Sequence, residues 1–573
     1  MDEITDVRAS DVPSILGIQE DDVSLSDSED LLLTKIKFRV LESESLLKGR
    51  EKNWEEAKKF FDGKHWEITN TKLPSYKSDT VINKWFGAVR SLVAFETDAK
   101  PESEIDVSVQ PNDSSAEMLY AQAKKVDASL DYQWDIQNIP STLTEIYYDR
   151  YNYDDGFGMY FWNDETDNVD FETIKPQELL VSPGATCVED AEYVVVKKWR
   201  NKKWFDSHYP DEDVVFSGMK REGESTLEES KYRNMARVYT YMQDELWVIA
   251  TDKKILDKFP NPHWEWRTAD EQRAELIETL GEDASMEELR SVFAEWTPIT
   301  NHLIKPEKPI IHFKGYHLAG DFYSQSLVKQ VMNINFNINH RKCQIEDNAN
   351  AVGNGQDFID PSVPKEIRDL ITSQPGLKIG INPTLHRREP GVPLPEFVFT
   401  DLQHSEQKFD DLMGHHEVSR GASPTKRQTK AEVMMLRETD ITPVRLLMRN
   451  SEVAITKLLN GWCQLMKLYY DKEHYIGKLG MKEGAQSYLR REEIPDNLSI
   501  IIKVGSTIPV SKEQRRMEWT QWATSGLMDL KTFYEKMGEP NPEKLANRAM
   551  NARNSGILSD EPPQPPQPEG GPQ

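Results

Sequence analysis

The stretch from 351 to 399 constrains this chain more than any other. Gly353, Gly355, Pro361, Pro364, Pro375, Gly376, Pro383, Pro390, Gly391, Pro393 and Pro395 punctuate it. Proline lacks an N–H and fixes φ, while glycine is costly to order, so neither a long helix nor a central strand can run through such a segment. Only one short helix fits, Lys365 to Ile371. On both sides the pattern turns helical. Tyr323 to Glu346 repeats Leu327, Val328, Val331, Ile334 and Ile338 at helical spacing, with Asn333, Asn335, Asn337 and Asn339 on the rest. Asp401 to Val418 predicts a second, shorter helix. The chain must therefore carry a small loop-rich module between two helices. The four asparagines suit bonds to adjacent helices and exposure to water equally.

The other elements follow from local periodicity. Ser43 to Phe61 is amphipathic through Leu46, Leu47, Trp54, Ala57, Phe60 and Phe61, and Asp62-Gly63 ends it. Val81 to Phe95 predicts a helix, Ile105 to Val109 a half-buried strand, and Ala116 to Tyr148 one or two helices broken near Pro140. Residues 156–200 predict strands, with a turn at Asn163-Asp164-Glu165 and a run, Val194-Val195-Val196, buried on both faces. Residues 236–256 predict a hairpin turning at Gln243-Asp244. Thr268 to Trp296 is polar and helical. Thr429 to Tyr470 predicts a very long helix containing Pro443, where a bend is allowed. Leu498 to Val504 predicts a strand. Lys512 to Met550 is helical, with a break at Gly538 to Pro542.

Charge narrows the partners. The 573 residues hold 70 Lys+Arg against 97 Asp+Glu, a net −27. That excess opposes broad binding to nucleic acid or an anionic membrane surface, although it permits a channel that DNA traverses without being gripped. No apolar run reaches about 18 residues, so no transmembrane helix is expected. The acidic start lacks a secretory pattern. Cys187, Cys343 and Cys463 have neither metal-ligand spacing nor the look of a disulfide framework, which fits assembly in a reducing cytoplasm. Residues 1–30 carry ten acids and one base, Arg8, and Glu561 to Gln573 holds six prolines. Both ends are expected to be extended and flexible.

Catalytic signatures are missing. There is no P-loop, no H-E-x-x-H helix and no G-x-S-x-G elbow. Gly156-Phe157-Gly158 leads into Tyr160 and Phe161, not a dinucleotide loop. His415-His416-Glu417 reads as helix-end polarity, since adjacent helical residues point about 100° apart. Asp154-Asp155 and Asp410-Asp411 read as solvated charges. No catalytic, cofactor or metal residue is assigned.

The order of local motifs resembles the portal, or head-to-tail connector, proteins of tailed bacteriophages over roughly residues 50–550. An N-terminal helix ends in Phe60-Phe61-Asp62-Gly63-Lys64-His65-Trp66. The helix Val81 to Phe95 leads through Ala99-Lys100-Pro101 to a strand. Asp155-Gly156-Phe157-Gly158 opens the next sheet. Pro176 to Pro183-Gly184-Ala185 and Asp190-Ala191 run into Tyr193 to Trp199. Pro309-Ile310-Ile311-His312-Phe313 precedes the asparagine-rich helix. Val504-Gly505-Ser506-Thr507-Ile508-Pro509 precedes a helix with Gly526-Leu527-Met528-Asp529.

The resemblance implies a multi-domain α+β portal fold, mainly helical, with a β-containing wing, a helical stem, a small α/β clip and a helical crown. It implies an acidic flexible arm over 1–40 and a first wing segment over 41–320, with an unmatched helical insertion at 268–296. Stem helix 1 would span 321–350, the clip 351–400, stem helix 2 401–418 and the tunnel loop 419–428. The long helix and a second wing segment would span 429–510, the crown 511–555 and a disordered tail 556–573. The resemblance also implies a homo-oligomeric ring of twelve at one capsid vertex of the virion, assembled in the host cytoplasm. Double-stranded DNA would pass through it during packaging and ejection. Terminase large subunit and then the head-to-tail adaptor would dock on it, and the major capsid protein and scaffold would contact it. No enzyme, no cofactor and no membrane are implied.

From Arg420 to Arg449, seven bases face three acids, a local +4. Lys426, Arg427 and Lys430 are candidates for transient phosphate contact in the channel; pairing with acids of a neighbouring subunit is the equal alternative. Leu385, Val392, Leu394, Phe397 and Phe399 are candidates for subunit pairing or partner docking in the clip, and Glu396 to Thr400 reads as a strand that could extend a neighbour's sheet. Two other readings stay open: a minor head or adaptor protein, and a metal-dependent nuclease using Asp154, Asp155 and Asp164.

Overall fold

The computed structural model describes residues 28–70, 72–74, 76–107, 116–216, 234–263, 266–267, 297–298, 307–371, 380–389, 391–414, 430–476, 488–495, 498–503, 512–537 and 542–554. The expected insertion 268–296, the loop 419–428, the histidines 415–416 and the proline-rich tail lie outside these residues.

The chain is α+β. Its main elements are α1 (Glu29–Phe61), α2 (Lys84–Thr97), β1 (Ser103–Val107), α3 (Ala116–Ile136), α4 (Ile139–Tyr153), β2 (Gly156–Asn163), β3 (Asn168–Ile174), β4 (Leu179–Val181), β5 (Val194–Asn201), β6 (Met235–Met242), β7 (Leu246–Thr251), β8 (Ile255–Pro260), β9 (Ile310–Phe313), α5 (Leu327–Gly353), β10 (Gln356–Ile359), β11 (His386–Glu389), α6 (Phe397–Met413), α7 (Lys430–Tyr469), β12 (Leu498–Ile502), α8 (Lys512–Thr524), α9 (Leu530–Lys536) and α10 (Pro542–Asn554), with further short helices, strands and turns between them. No helix among the described residues is long and apolar enough to cross a membrane.

Strands β4 to β8 form a sequential antiparallel meander. Their period of two sends alternate residues to opposite faces. Tyr193, Val195, Tyr239, Tyr241, Leu246, Val248 and Ala250 pack under α1, against Leu32, Ile36, Val40, Leu47 and Trp54. Val194, Val196, Met242 and Trp247 face the other way, onto Phe157, Ile174 and Ile310 of a second sheet ordered β9-β2-β3. The Val194-Val195-Val196 run is therefore buried on both faces, as its composition predicted.

Helix α1 corrects the expected acidic arm. It begins at Glu29, so residues 29–40 are ordered helix rather than flexible chain. Charge counting over residues 1–40 hides Leu32, Ile36 and Val40, which recur at helical spacing and are at most 4 % exposed. Glu29 and Asp30 sit in the first turn, where carboxylates favour the helix dipole.

The largest core joins α2, α3, α4, α5 and α7 to the β9-β2-β3 sheet through Trp85, Tyr151, Phe313 and Trp462. Gly461 lets α7 cross this sheet closely: a Cβ there would lie 2.4 Å from the Tyr160 ring. Helix α7 runs through Pro443 as one helix. Antiparallel pairing of β1 with β12, Ile105 opposite Ile500, closes residues far apart in sequence into the same body.

Candidate functional site

Helices α5 and α6 form an antiparallel pair. Arg341 Nε bonds Asp401 Oδ2 at 2.6 Å, and Asn337 Nδ2 donates to Ser405 Oγ at 3.0 Å. Residues 354–396 join their ends, with a hairpin of β10 and β11 in register Gln356 to Glu389 and Ile359 to His386. This is the helix, module, helix order that the glycines and prolines demanded.

Where α6 begins, the structure corrects the sequence. Glu396 to Thr400 is not a strand; Phe397 opens α6. The bulky Phe397-Val398-Phe399 run is β-prone, but Pro395 precedes it and the Pro395 carbonyl accepts from Val398 N–H at 3.2 Å. Proline has no N–H to give to a strand ladder, which weighs against a strand entered at Pro395. The alternating exposure also fits a helix, because buried positions recur at Val398, Ser405, Phe409 and Met413. This segment therefore cannot extend a neighbour's sheet as a strand.

The asparagine row divides its work. Asn335 and Asn339 are fully buried. Asn339 Oδ1 accepts the Ile82 N–H at 2.8 Å, and Asn335 Nδ2 donates to the Ile82 carbonyl at 2.8 Å. Asn335 Oδ1 also accepts the Lys84 N–H at 3.2 Å. The two amides thus satisfy backbone groups just before α2 that would otherwise be buried without partners. Asn339 Nδ2 donates to His65 Nδ1 at 2.7 Å, so the His65 proton sits on Nε2, which reaches the Phe60 carbonyl at 3.0 Å. Burial holds His65 below its ordinary pKa and favours this neutral form. Asn333 is exposed.

A second anchor fixes the start of α5. Asp155, expected to be solvated, is fully buried. Its Oδ1 meets His312 Nε2 at 2.9 Å and Ser324 Oγ at 2.6 Å, and its Oδ2 accepts the Ser324 N–H at 2.7 Å. The Gly315 N–H lies 3.4 Å from Oδ1. Burial alone would raise this carboxyl, yet the His312 ring and the Ser324 donors hold it below its ordinary range. The His312 ring is stacked between Phe157 and Phe322, at 4.6 and 5.0 Å. Asp154, which ends α4 with φ 77°, is buried too and is pushed up to about 6 by desolvation.

The carboxylates do not form a nuclease centre. The Asp155 oxygens are occupied by protein donors, and Asp164 lies beyond the whole of β2, on the order of 25–30 Å along the strand. Asp410, also expected to be solvated, pairs with Lys84 at 2.9 Å and tethers α6 to α2. The cysteines are free thiols.

The predicted contact residues fall unevenly. Lys426 and Arg427 lie outside the described residues, and Lys430 is the first residue of α7. Val392 is 81 % exposed, Phe397 65 % and Phe399 46 %; Leu385 and Leu394 are half-buried. The sequence reading missed Phe358 and Leu370, 54 % and 59 % exposed on the same module. Phe358 lies in a short strand whose alternation gave the available signal. Val392, Phe397, Phe399, Phe358 and Leu370 thus leave apolar side chains exposed around one small module.

No curated protein matches the chain. A family model described as the phage SU10 portal protein matches residues 96–570. That span takes in both sheets, the α5–α6 pair with its intervening module, and α7 to α10. A match over that much of the sequence shows that the chain belongs to the phage SU10 portal protein family.

Proposed function

We propose that this portal protein acts as a ring of twelve copies at one capsid vertex, with residues 321–350 and 401–418 as its stem, residues 351–400 as its clip and residues 511–555 as its crown. The family match over residues 96–570 carries this reading. DNA enters and leaves through the ring, the terminase large subunit docks on the clip during packaging, and the adaptor replaces it afterwards. The wing meets the major capsid protein, with scaffold as a contact during assembly in the host cytoplasm. The role is structural, without catalysis.

Two features support the details. First, a net −27 per subunit makes an acidic ring that repels phosphate, so DNA slides rather than sticks. Lys426, Arg427 and Lys430 in the basic segment supply local, reversible phosphate contacts. Second, Val392, Phe397 and Phe399 expose apolar surface that an isolated subunit leaves in water. They form the seam between neighbouring clips, together with the half-buried Leu385 and Leu394.

The test is the mass of the purified protein by light scattering, with negative-stain images of the same fraction. Twelve copies of 66.1 kDa predict a particle of about 0.8 MDa with a central hole. A compact dimer without a hole would refute the conduit.

A further inference from the structure

The end of α7 and the β2–β3 turn meet at a cluster that the portal role does not use. Asp167 lies in the turn, Asp471 follows α7, and His474 begins a two-residue strand. Their candidate ligand atoms all fall within 4.8 Å of one another. His474 Nε2 stands 3.9 Å from Asp167 Oδ2, too long for a hydrogen bond. That nitrogen is shut off from solvent and has no hydrogen-bond partner. A buried polar atom left this way is costly, and a ligand would remove the cost.

The ring cannot easily turn away. It stacks on Tyr470 with centroids 3.7 Å apart, and Trp162 packs edge-on at 6.4 Å. The carboxylates have room to adjust by contrast, Asp167 being 49 % and Asp471 68 % exposed on their side chains. Lys472 Nζ lies 3.9 Å from Asp471 Oδ2 and offsets only a fraction of the two negative charges.

We propose that Asp167, Asp471 and His474 bind one divalent transition-metal ion, with Zn²⁺ the best match. Zinc bonds to imidazole nitrogen and carboxylate oxygen are both about 2.0–2.2 Å, so two ligand atoms on one tetrahedral ion sit roughly 3.3–3.6 Å apart. The observed 3.9 Å is a few tenths of an ångström wider, a gap that the half-exposed Asp167 carboxylate can close. The farthest atoms, at up to 4.8 Å, need at most about 1.2–1.5 Å of movement by an exposed carboxylate. One imidazole with two carboxylates favours Zn²⁺ over the all-oxygen preference of Mg²⁺ and Ca²⁺. Water would complete the coordination. The bound ion staples the β2–β3 turn to the end of α7, two segments about 300 positions apart. This goes beyond the portal reading and does not depend on it.

The test is calorimetric titration of the chelator-stripped full-length protein with Zn²⁺, with Mg²⁺ and Ca²⁺ as controls. The expected result is one Zn²⁺ per subunit, weakened more than about tenfold in both His474→Gln and Asp167→Asn. Melting should rise with Zn²⁺ in the wild type and stay fixed in the variants. If His474→Gln fails to fold, Asp167→Asn carries the test, because Asp167 is half-exposed. No saturable binding up to millimolar Zn²⁺, equal binding of Mg²⁺ or Ca²⁺, or affinity unchanged in the variants would each overturn the proposal.

Discussion

Asp155→Asn tests the anchor that holds α5 to the sheet. The substitution keeps the shape and removes the charge. Four donors face the carboxylate: His312 Nε2, the Ser324 hydroxyl, the Ser324 N–H and the Gly315 N–H. An asparagine offers one oxygen and one amino group. With the oxygen at the Oδ1 position, the amino group opposes the Ser324 N–H. With it at Oδ2, the amino group opposes His312 and the Gly315 N–H. Either way at least one buried donor loses its partner and faces another donor. A buried bond to a charged acceptor is worth about 1.5–3 kcal/mol, and breaking a buried charged pair costs about 3–5. A loss of about 3 kcal/mol is expected. For a cooperative unit of 150–250 residues that lowers melting by roughly 6–12 °C. Tryptophan fluorescence of the full-length protein during heating reads it. The charge adds a second readout. Asp155 is held below its ordinary 3.8, so its stabilisation is complete above the unfolded value and is lost as pH falls through the lowered folded one. The gap between wild type and variant should therefore narrow as pH drops from about 5 toward 3 and below. Melting temperatures within about 1 °C at neutral pH, or a gap that persists unchanged into acid, would refute the reasoning.

Other consequences follow from the same packing. Arg150→Met leaves buried Glu96 without its guanidinium partner and removes the 2.8 Å bond to Ser451, so a loss of about 3–5 kcal/mol is expected by denaturant titration. Val392→Asp with Phe397→Asp should abolish ring formation in light scattering while circular dichroism and melting of the subunit stay near wild type, because both side chains are exposed. Lys426→Glu with Arg427→Glu should leave ring mass intact yet lower packaged genome length and retention. Unchanged packaging would remove these two residues from the channel.

What the sequence disclosed was what short-range pattern can carry. The module between two helices follows from backbone chemistry, since proline and glycine act where they stand. Burial of Val194 to Val196 on both faces follows from three β-branched residues in a row. The failures share a cause. Asp154-Asp155 looks like surface charge until His312 and Ser324, more than 150 positions later, arrive as donors. Phe397-Val398-Phe399 looks like a strand until Pro395, with no N–H for a ladder, weighs against one and α5 covers one side of the helix. The first residues of α1 were masked by an acidic count that ignored where Leu32, Ile36 and Val40 fall.

The asparagines carry this one step further. A row of amides along α5 suits bonding to an adjacent helix and exposure to water equally. Asn335 and Asn339 are instead consumed within the chain by Ile82, Lys84 and His65, and Asn337 by Ser405. Their function is to let α5 lie directly against an extended segment whose backbone groups would otherwise be stranded in the core. Replacing either with leucine would fill the space and still strand the Ile82 amide or carbonyl, so shape alone cannot explain the choice. Asn333 faces solvent, which leaves it available to a neighbour. In the proposed ring, specificity between stems must then come mainly from the apolar tip and not from the polar stripe.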